Sequence, residues 1–364
     1  MRDLWLGPYL NLKLTFAIDP SARWERSSGG SVVALLSALL EARTVNKIVA
    51  LCESDNYPLP RFRSLTQFAP SALKTSFYVD PGSSFVTQVV DGQQTVFVGL
   101  PCQIQAVKRL CHKRGIYPPI LIGLFCGGIS SIAALKVFLK RVGITLREVR
   151  YLSFRGGGMY GHFTLRTDDR TIHFNRVTDP MTREKWLHDA IFFGPFFRRD
   201  CLMCTDVTGE EADISFGDAW IPRVMKDNKS GTNICIIRTQ RGISMLDCAL
   251  ERGMIGCDEV HYEEVIDSQG SALIGRKLGL WSYPRSTVFP TRVIFDSEVR
   301  YFPTALSPSF DEILRRQVLW KLAKIRYLQL LVPEFDLVLR FFTRQVNRVL
   351  AVVRAAKRSM ERHT

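Results

Sequence analysis

The chain has no cysteine before Cys52, and its nine cysteines show no regular disulfide-like spacing. Secreted scaffolds of 364 residues rarely need disulfides, so the thiols indicate a reducing compartment and metal or redox use for some of them. No uncharged apolar run approaches the roughly 18–20 residues of a spanning helix. The first residues lack an apolar stretch with a cleavage site. We therefore expect a cytoplasmic protein without a signal peptide or a spanning helix.

Other functional signals are missing as well. The six histidines show no pairing at metal-ligand spacing, and there is no internal repeat or low-complexity tract. Residues 311–364 hold 12 Lys and Arg against 5 Asp and Glu, which is half of the formal net charge of +14. Because the excess charge is concentrated in this tail and no recognised motif is present, nucleic-acid binding is not expected.

What is present is a single Cys-x-x-Cys, formed by Cys201 and Cys204. Two thiols at this spacing can turn toward one centre, which is the usual half-site for zinc or iron–sulfur. Cys102 and Cys126 each follow an apolar strand-like run that ends in a tight turn. Such turns lie at the carboxyl edge of a parallel sheet, where ligands usually bind. We predict one site with four cysteine ligands, although Cys102 and Cys126 alone fit equally well as small core residues.

The other thiols and the histidines are interpreted as structural. Cys52, Cys235, Cys248 and Cys257 lie in apolar patterns and are predicted to pack in the core. Cys111 ends a basic helix and is predicted to be a surface thiol. His162 and His173 alternate with apolar residues, which favours a solvated strand face.

The periodicity predicts an α/β fold with parallel βαβ units, an inserted small antiparallel β region and a C-terminal helical extension. We divide the chain into an irregular segment 1–26, an α/β domain 27–145, a second α/β domain 146–267, an extended cover or linker 268–310 and a basic helical tail 311–364. The antiparallel strands are expected near residues 149–154, 161–166 and 170–174, within the second domain.

A glycine turn, Ser28-Gly29-Gly30, opens an almost wholly apolar helix at residues 32–42. Backbone N–H groups at such a helix start suit a phosphate, and glycines allow it to approach closely. A serine cap on a core helix explains the pattern equally well.

The tail contains an amphipathic basic pattern over residues 335–353, with apolar residues at three- and four-residue steps. Three alternatives stay open: an apolar face packed on the protein body, a dock for a partner subunit, and a peripheral contact with the inner membrane face.

Taken in order, several short motifs resemble the coenzyme F-420 hydrogenase/dehydrogenase beta subunits, a family that includes plant 7-hydroxymethyl chlorophyll reductase. The resemblance covers roughly residues 27–250. It is carried by Ser28-Gly29-Gly30, Gly99-Leu100-Pro101-Cys102-Gln103, Cys126-Gly127-Gly128, Ser153-Phe154-Arg155, Arg199-Asp200-Cys201-Leu202-Met203-Cys204, Asp213 to Trp220, and Arg238-Thr239 with Gly242. No single motif is specific, whereas the ordered set is.

This resemblance implies an oxidoreductase that binds FAD and one [4Fe–4S] cluster. It implies Cys102, Cys126, Cys201 and Cys204 as the cluster ligands. It also implies Ser28, Gly29 and Gly30 as flavin-binding residues, with Arg155 and Asp218 as weaker candidates. The expected partners are a ferredoxin, a deazaflavin-type donor or another redox subunit, and a small organic substrate. No catalytic residue is assigned.

The sequence departs from the family pattern at two points. Many relatives begin with a ferredoxin-like run of cysteines, which this chain lacks, and many carry Gly-Ser-Lys-Tyr where this chain has Thr75-Ser76-Phe77-Tyr78. These departures support an alternative function, a non-catalytic metal-bearing accessory protein of a membrane-associated assembly such as polysaccharide production.

Overall fold

The computed structural model describes residues 3–54, 59–67, 73, 76–88, 94–159, 161–193, 195–227, 230–277 and 328–340, with short pieces at 294–295, 298–299, 318–319, 322–323 and 325. The strands are β1 (Asn11–Ala17), β2 (Lys47–Cys52), β3 (Arg61–Leu65), β4 (Thr95–Gly99), β5 (Ile120–Leu124), β6 (Tyr151–Ser153), β7 (His162–Arg166), β8 (Thr171–Asn175), β9 (Ile214–Asp218), β10 (Asn233–Ile237), β11 (Ile255–Glu259), β12 (Ile294–Phe295) and β13 (Glu298–Val299). The helices are α1 (Pro20–Glu25), α2 (Ser31–Glu41), α3 (Phe85–Gln88), α4 (Pro101–Arg114), α5 (Ile132–Val142), α6 (Arg183–Phe192), α7 (Arg199–Met203), α8 (Pro222–Asp227), α9 (Gln240–Glu251) and α10 (Tyr262–Lys277).

An eight-stranded sheet organises the chain, in the order β11-β1-β10-β9-β5-β4-β2-β3. The four strands β9, β5, β4 and β2 are parallel, and the remaining neighbours pair antiparallel. The carboxyl ends of β4, β5 and β9 therefore lie side by side at one edge. This confirms that the turns after β4 and β5 share an edge, as the sequence predicts.

Both faces of the parallel strands are covered, which explains their continuous apolar sequences. In β4, Val96 and Val98 pack with α2 and α9 on one face, whereas Phe97 packs with α4 on the other. The alternation follows from the two-residue period of a strand. The hydrophobic cluster that contains Val96 and Val98 includes strand residues from both predicted domains.

The predicted antiparallel region is a separate three-stranded sheet in the order β6-β7-β8. It packs with α5 and α6 around a cluster rich in aromatic rings, among them Phe138, Phe154 and Phe163. The predicted α/β class with an inserted antiparallel sheet is thus confirmed. None of the helices among the described residues is both long and apolar enough to cross a bilayer.

Two predictions about segments were wrong. Residues 1–26 are not irregular, because β1 lies inside the large sheet between β10 and β11. Leu12 and Leu14 of β1 are buried, while Lys13 pairs with Glu259. The extended segment predicted from residue 268 instead begins as helix, since α10 continues to Lys277 and buries Leu273. Most of 278–310 lies outside the described residues.

Two further predictions concern Cys111 and the tail. Cys111 is buried rather than exposed, because it follows Ile104 and Val107 at helical spacing on the inner face of α4. The basic neighbours of Cys111 occupy the outer face of the same helix.

In the tail, residues 332–340 are helical, and residues 341–364 lie outside the described part of the chain.

Candidate functional site

Four thiols line one cavity of about 380 Å³, which we name the thiol cavity after Cys102, Cys126, Cys201 and Cys204. Cys102 is the second residue of α4, Cys126 lies two residues after β5, and the other two belong to α7 and its end. The structure therefore brings together all four cysteines that the sequence singles out. Their binding of a metal stays a prediction.

Backbone hydrogen bonds fix the Cys-x-x-Cys segment against the turn after β5. Arg198 donates its N–H to the carbonyl of Ile129 (3.2 Å), just before Cys201. On the other side, Cys126 donates its N–H to the carbonyl of Val207 (2.8 Å), just after Cys204. The turn and the segment are thus joined at both ends, which holds three of the thiols in one region.

Burial shapes the chemistry of these thiols. Although Cys102 is exposed as a residue, its thiol lies in the cavity wall, where burial raises its pKa to about 11. Burial raises the pKa of Cys126 to about 12, and it also raises those of Cys201 and Cys204. Without a positive centre the thiols are neutral at pH 7, whereas a bound metal would supply the charge that stabilises thiolates.

All four cysteines belong to the wall of the thiol cavity. Among the residues that the structure describes, no three His, Cys, Asp or Glu side chains stand where a single metal ion could bind. A four-iron cluster has four corners, each bound by its own thiolate, so its ligands stand farther apart than those of one zinc ion. Four thiolates are the donor set of both a [4Fe–4S] cluster and a structural zinc ion, so the residues present fit either group.

A second cavity of about 410 Å³, the inner cavity, lies beside the first. Four of the five predicted cofactor residues line it: Ser28, Gly30, Arg155 and Asp218. The two cavities share Leu100, Cys126, Gly128 and Ile129, so the turn after β5 separates them. A group in the inner cavity would therefore lie next to the thiol that Cys126 presents.

Gly29 is not part of the wall of the inner cavity. It has a φ of +104°, and a Cβ built on it would stand 2.8 Å from the carbonyl oxygen of Gly231. The glycine is required because two backbone segments pass close together. Gly29 therefore shapes the turn between Ser28 and Gly30, and its contact with a flavin stays a prediction.

Arg155 and Asp218 form the polar centre of the inner cavity. Their ion pair is mostly buried, with side-chain exposures of 5% and 22%. Asp218 also accepts from the hydroxyl of Ser28, and Arg155 donates to the carbonyl of Ser27 (2.8 Å). Burial alone would lower the pKa of Arg155, but Asp218 and Tyr78 outweigh it and raise that pKa. Arg155 is therefore a permanent cation.

The start of α2 gives the inner cavity a second polar end. The first hydrogen bond of the helix runs from Ala34 N to Gly30 O (3.1 Å), so the preceding N–H groups lie outside the helical ladder. Asn233 accepts from one of them, that of Ser31 (3.3 Å). The hydroxyl of Ser31 is buried in the wall of the cavity, and it has no hydrogen-bond partner among the residues that the structure describes.

A third space, the outer cavity of about 620 Å³, adjoins the inner cavity and shares Arg26, Ser27, Ser76, Phe77 and Arg155 with it. Two stacked imidazoles line it, those of His162 and His173, with ring centroids 4.8 Å apart. Residue His173 is exposed, as the sequence predicts for a solvated strand face.

Known proteins resemble this chain in sequence and in fold. The family model for the C-terminal part of the beta subunit of coenzyme F420 hydrogenase/dehydrogenase matches residues 92–262. The coenzyme F420 hydrogenase subunit beta of Methanococcus voltae is 23% identical over 261 residues, which cover 68% of this chain and 85% of that protein. A chain of the xenon-derivatised F420-reducing [NiFe] hydrogenase complex of Methanosarcina barkeri aligns with a TM-score of 0.55 at 20% identity, over 76% of this chain and 92% of that one.

Over residues 92–262 the chain is similar to the coenzyme F420 hydrogenase/dehydrogenase beta subunit family. The resemblance inferred from the ordered motifs is thereby confirmed. The residues matched by the family model contain all four cysteines of the thiol cavity, together with Arg155 and Asp218. They do not contain Ser28 or Gly30, and they end at Tyr262, the first residue of α10.

Helix α10 contributes residues that sequence analysis missed. Ser268 donates its hydroxyl to the carbonyl of Asp218 (3.3 Å) and accepts from the N–H of Trp220 (2.9 Å). Gln269 donates to the same carbonyl (2.7 Å) and lines the inner cavity. Arg276 lines the thiol cavity. The serines and the glycine at 268–271 are typical of a loop, so no sequence signal distinguished these residues.

Three residues of the Thr-Ser-Phe-Tyr segment also belong to the candidate cofactor site. Ser76, Phe77 and Tyr78 line the inner cavity, so the place where relatives carry Gly-Ser-Lys-Tyr faces the candidate cofactor space. Phe77 occupies the lysine position and supplies an apolar ring instead of a cation.

Proposed function

We propose that this chain is an iron–sulfur flavoprotein oxidoreductase that passes electrons between a ferredoxin-like or deazaflavin-type donor and a small organic substrate. The proposal includes one [4Fe–4S] cluster held by Cys102, Cys126, Cys201 and Cys204, and FAD in the inner cavity. It extends what the similarity to coenzyme F420 hydrogenase beta subunits supports, a redox subunit related to those proteins.

One observation carries the proposal: the inner cavity and the thiol cavity meet at Cys126. Flavin can accept a hydride and release its electrons one at a time to an iron–sulfur centre. A shared wall places the two candidate sites in direct contact. The protein would therefore need no additional carrier between them.

The inner cavity suits a flavin in chemistry. Its volume of about 410 Å³ lies within the range of ligand pockets. Aromatic rings of Tyr78, Phe193 and Trp220 line it, which suits a planar ring system. The buried hydroxyl of Ser31 and the N–H groups at the start of α2 are donors that suit a phosphate. Arg155, fixed by Asp218, adds a buried positive charge nearby.

The outer cavity offers a place for the organic substrate. It adjoins the inner cavity through Arg26 and Arg155, so a bound molecule could reach the flavin side. Arg166 and the two stacked histidines line its far side. A partner protein would approach from the other direction, where Cys102 and Met203 are exposed beside the thiol cavity.

The experiment is to purify the full chain without oxygen and measure flavin, iron and acid-labile sulfide per chain. Bound FAD together with iron and sulfide supports the proposal. Stoichiometric zinc without sulfide or flavin would contradict it and favour the accessory protein of a membrane-associated assembly.

A further inference from the structure

Helix α10 connects the two candidate sites. Its first half, through Ser268 and Gln269, holds the backbone of Asp218 beside the inner cavity. Its last turn carries Arg276, which is 3% exposed and lines the thiol cavity. One rigid element therefore spans both cavities, although no sequence motif marks it.

The guanidinium of Arg276 joins the two segments that carry three of the cysteines. Its Nη1 donates to the carbonyl of Cys201 and makes a longer contact of 3.5 Å with that of Cys204. Its Nη2 donates to the carbonyl of Gly127, in the turn that follows β5. Arginine suits this role because its planar fork can donate in two directions at once.

At Gly128, the turn after β5 lies directly against the guanidinium of Arg276 and the ring of Phe197. Gly128 has a φ of +126°, and a Cβ built on it would stand 2.7 Å from Nη2 of Arg276 and 2.5 Å from the ring of Phe197. The close approach of Arg276 to the backbone therefore depends on a glycine at this position.

We propose that Arg276 is a positioning residue that holds the Cys126 turn and the Cys-x-x-Cys segment together, and that its charge raises the reduction potential of the cluster. The inference rests on the proposed function and extends it beyond the ligands. A cluster with four thiolates is anionic and gains further negative charge on reduction. A neighbouring cation therefore stabilises the reduced form more than the oxidised form.

The test compares two variants. Arg276→Lys keeps the positive charge but lacks the planar guanidinium that donates in two directions, whereas Arg276→Gln removes the charge. In both variants we expect the affinity for iron to fall about tenfold or more, as is typical when a residue that orients metal ligands is lost. The potential of the remaining cluster, measured by redox titration with electron paramagnetic resonance, should stay near the wild-type value in Arg276→Lys. In Arg276→Gln it should shift to more negative values.

A matched control is Arg238→Gln. Arg238 is also a buried arginine that donates to backbone carbonyls, those of Leu6 (2.8 Å), Pro8 (2.9 Å) and Thr208 (3.1 Å). Arg238 is not part of the wall of the thiol cavity. The control variant should lose stability in thermal unfolding but keep the wild-type iron affinity and potential. Wild-type iron affinity and potential in Arg276→Gln would overturn the inference.

Amide hydrogen exchange of the metal-free protein separates this inference from the proposed function. Arg276→Gln should increase exchange in both segments, residues 126–128 and 199–204, whereas Arg238→Gln should not. If the wild-type chain takes up no iron, the proposed function fails, and the role of the charge fails with it. Faster exchange in both segments would still support the positioning role, and unchanged exchange would overturn it.

Discussion

Arg155 and Asp218 form an ion pair in the wall of the inner cavity, although 63 residues separate them in the chain. Arg155 follows β6 in the small sheet, and Asp218 ends β9 in the large one. The pair therefore ties the two sheets together beside the candidate flavin site. A contact of this kind affects both the stability of the fold and the polarity of the cavity.

Replacing Asp218 with Asn should destabilise the protein by about 3 kcal/mol, because a buried guanidinium loses its counter-charge. Urea denaturation at pH 7 measures the change. In the double variant Arg155→Met/Asp218→Asn the buried charge is gone, so part of the stability should return. A double variant less stable than Asp218→Asn alone would show that the ion pair is not the cause.

Each of the substitutions Cys102→Ser, Cys126→Ser, Cys201→Ser and Cys204→Ser should remove most of the bound iron, because a hydroxyl replaces a thiolate ligand. Iron and sulfide are measured after anaerobic reconstitution. Cys248→Ser is the control, since Cys248 lies on α9 and its thiol faces the carbonyl of Ala38 (4.0 Å). A variant of the first group with full iron content would remove that residue from the site.

Phe193→Ala should weaken flavin binding about fivefold, because a ring contact contributes on the order of 1 kcal/mol. Phe193 lines the inner cavity and is 41% exposed, so its loss should cost little stability. Tyr117→Ala, at an exposed ring outside the cavity lining, is the control. Fluorescence titration with FAD measures both. Equal affinity in the two variants would place the flavin elsewhere.

Gly29→Val is not a suitable test of flavin binding, because the valine side chain would collide with the backbone of Gly231.

Acid should destabilise the cluster of rings around His188. This residue is fully buried beside the rings of Phe163, Phe174 and Phe192, and burial lowers its pKa although Asp189 acts in the opposite direction. Below a pH of about 6.5 the unfolded chain binds a proton that the folded chain resists. The free energy of unfolding should therefore fall with decreasing pH, by at most about 1.4 kcal/mol per pH unit from this group.

The matched variant is His188→Leu, which cannot titrate. Urea denaturation at about pH 7.5 and about pH 5.5 spans the titration range of an ordinary histidine. The stability of the wild type should decrease more between the two pH values than that of His188→Leu. An equal decrease in both proteins would mean that other groups cause the acid sensitivity.

The basic tail allows a test of peripheral membrane contact. Val332 is buried, and Arg141 pairs with Glu334, so the first part of the helix at 332–340 packs on the protein body. Deleting residues 341–364 leaves these contacts intact. If the tail binds anionic vesicles, each nearby cation contributes about 1 kcal/mol at low salt. The full chain would then sediment with such vesicles and the truncated chain would not. Equal behaviour of the two would exclude the membrane contact.

Much of the candidate site follows from local patterns in the sequence. The apolar runs of β4 and β5, each ended by a turn with a cysteine, are local features, and so is the Cys-x-x-Cys. The parallel arrangement of the two strands follows from strand–helix alternation. Cys102 and Cys126 could therefore be assigned to one sheet edge from the sequence alone.

Only the tertiary structure decided which distant segments meet at that edge. β1 lies inside the sheet because it pairs with β10 and β11, which lie more than 200 residues farther along the chain, and no local pattern encodes such pairing. The burial of Arg276 could likewise not be predicted from the local sequence. A buried arginine that bridges two loops has the same local sequence as a solvated one, because its burial depends on packing partners that are distant in sequence.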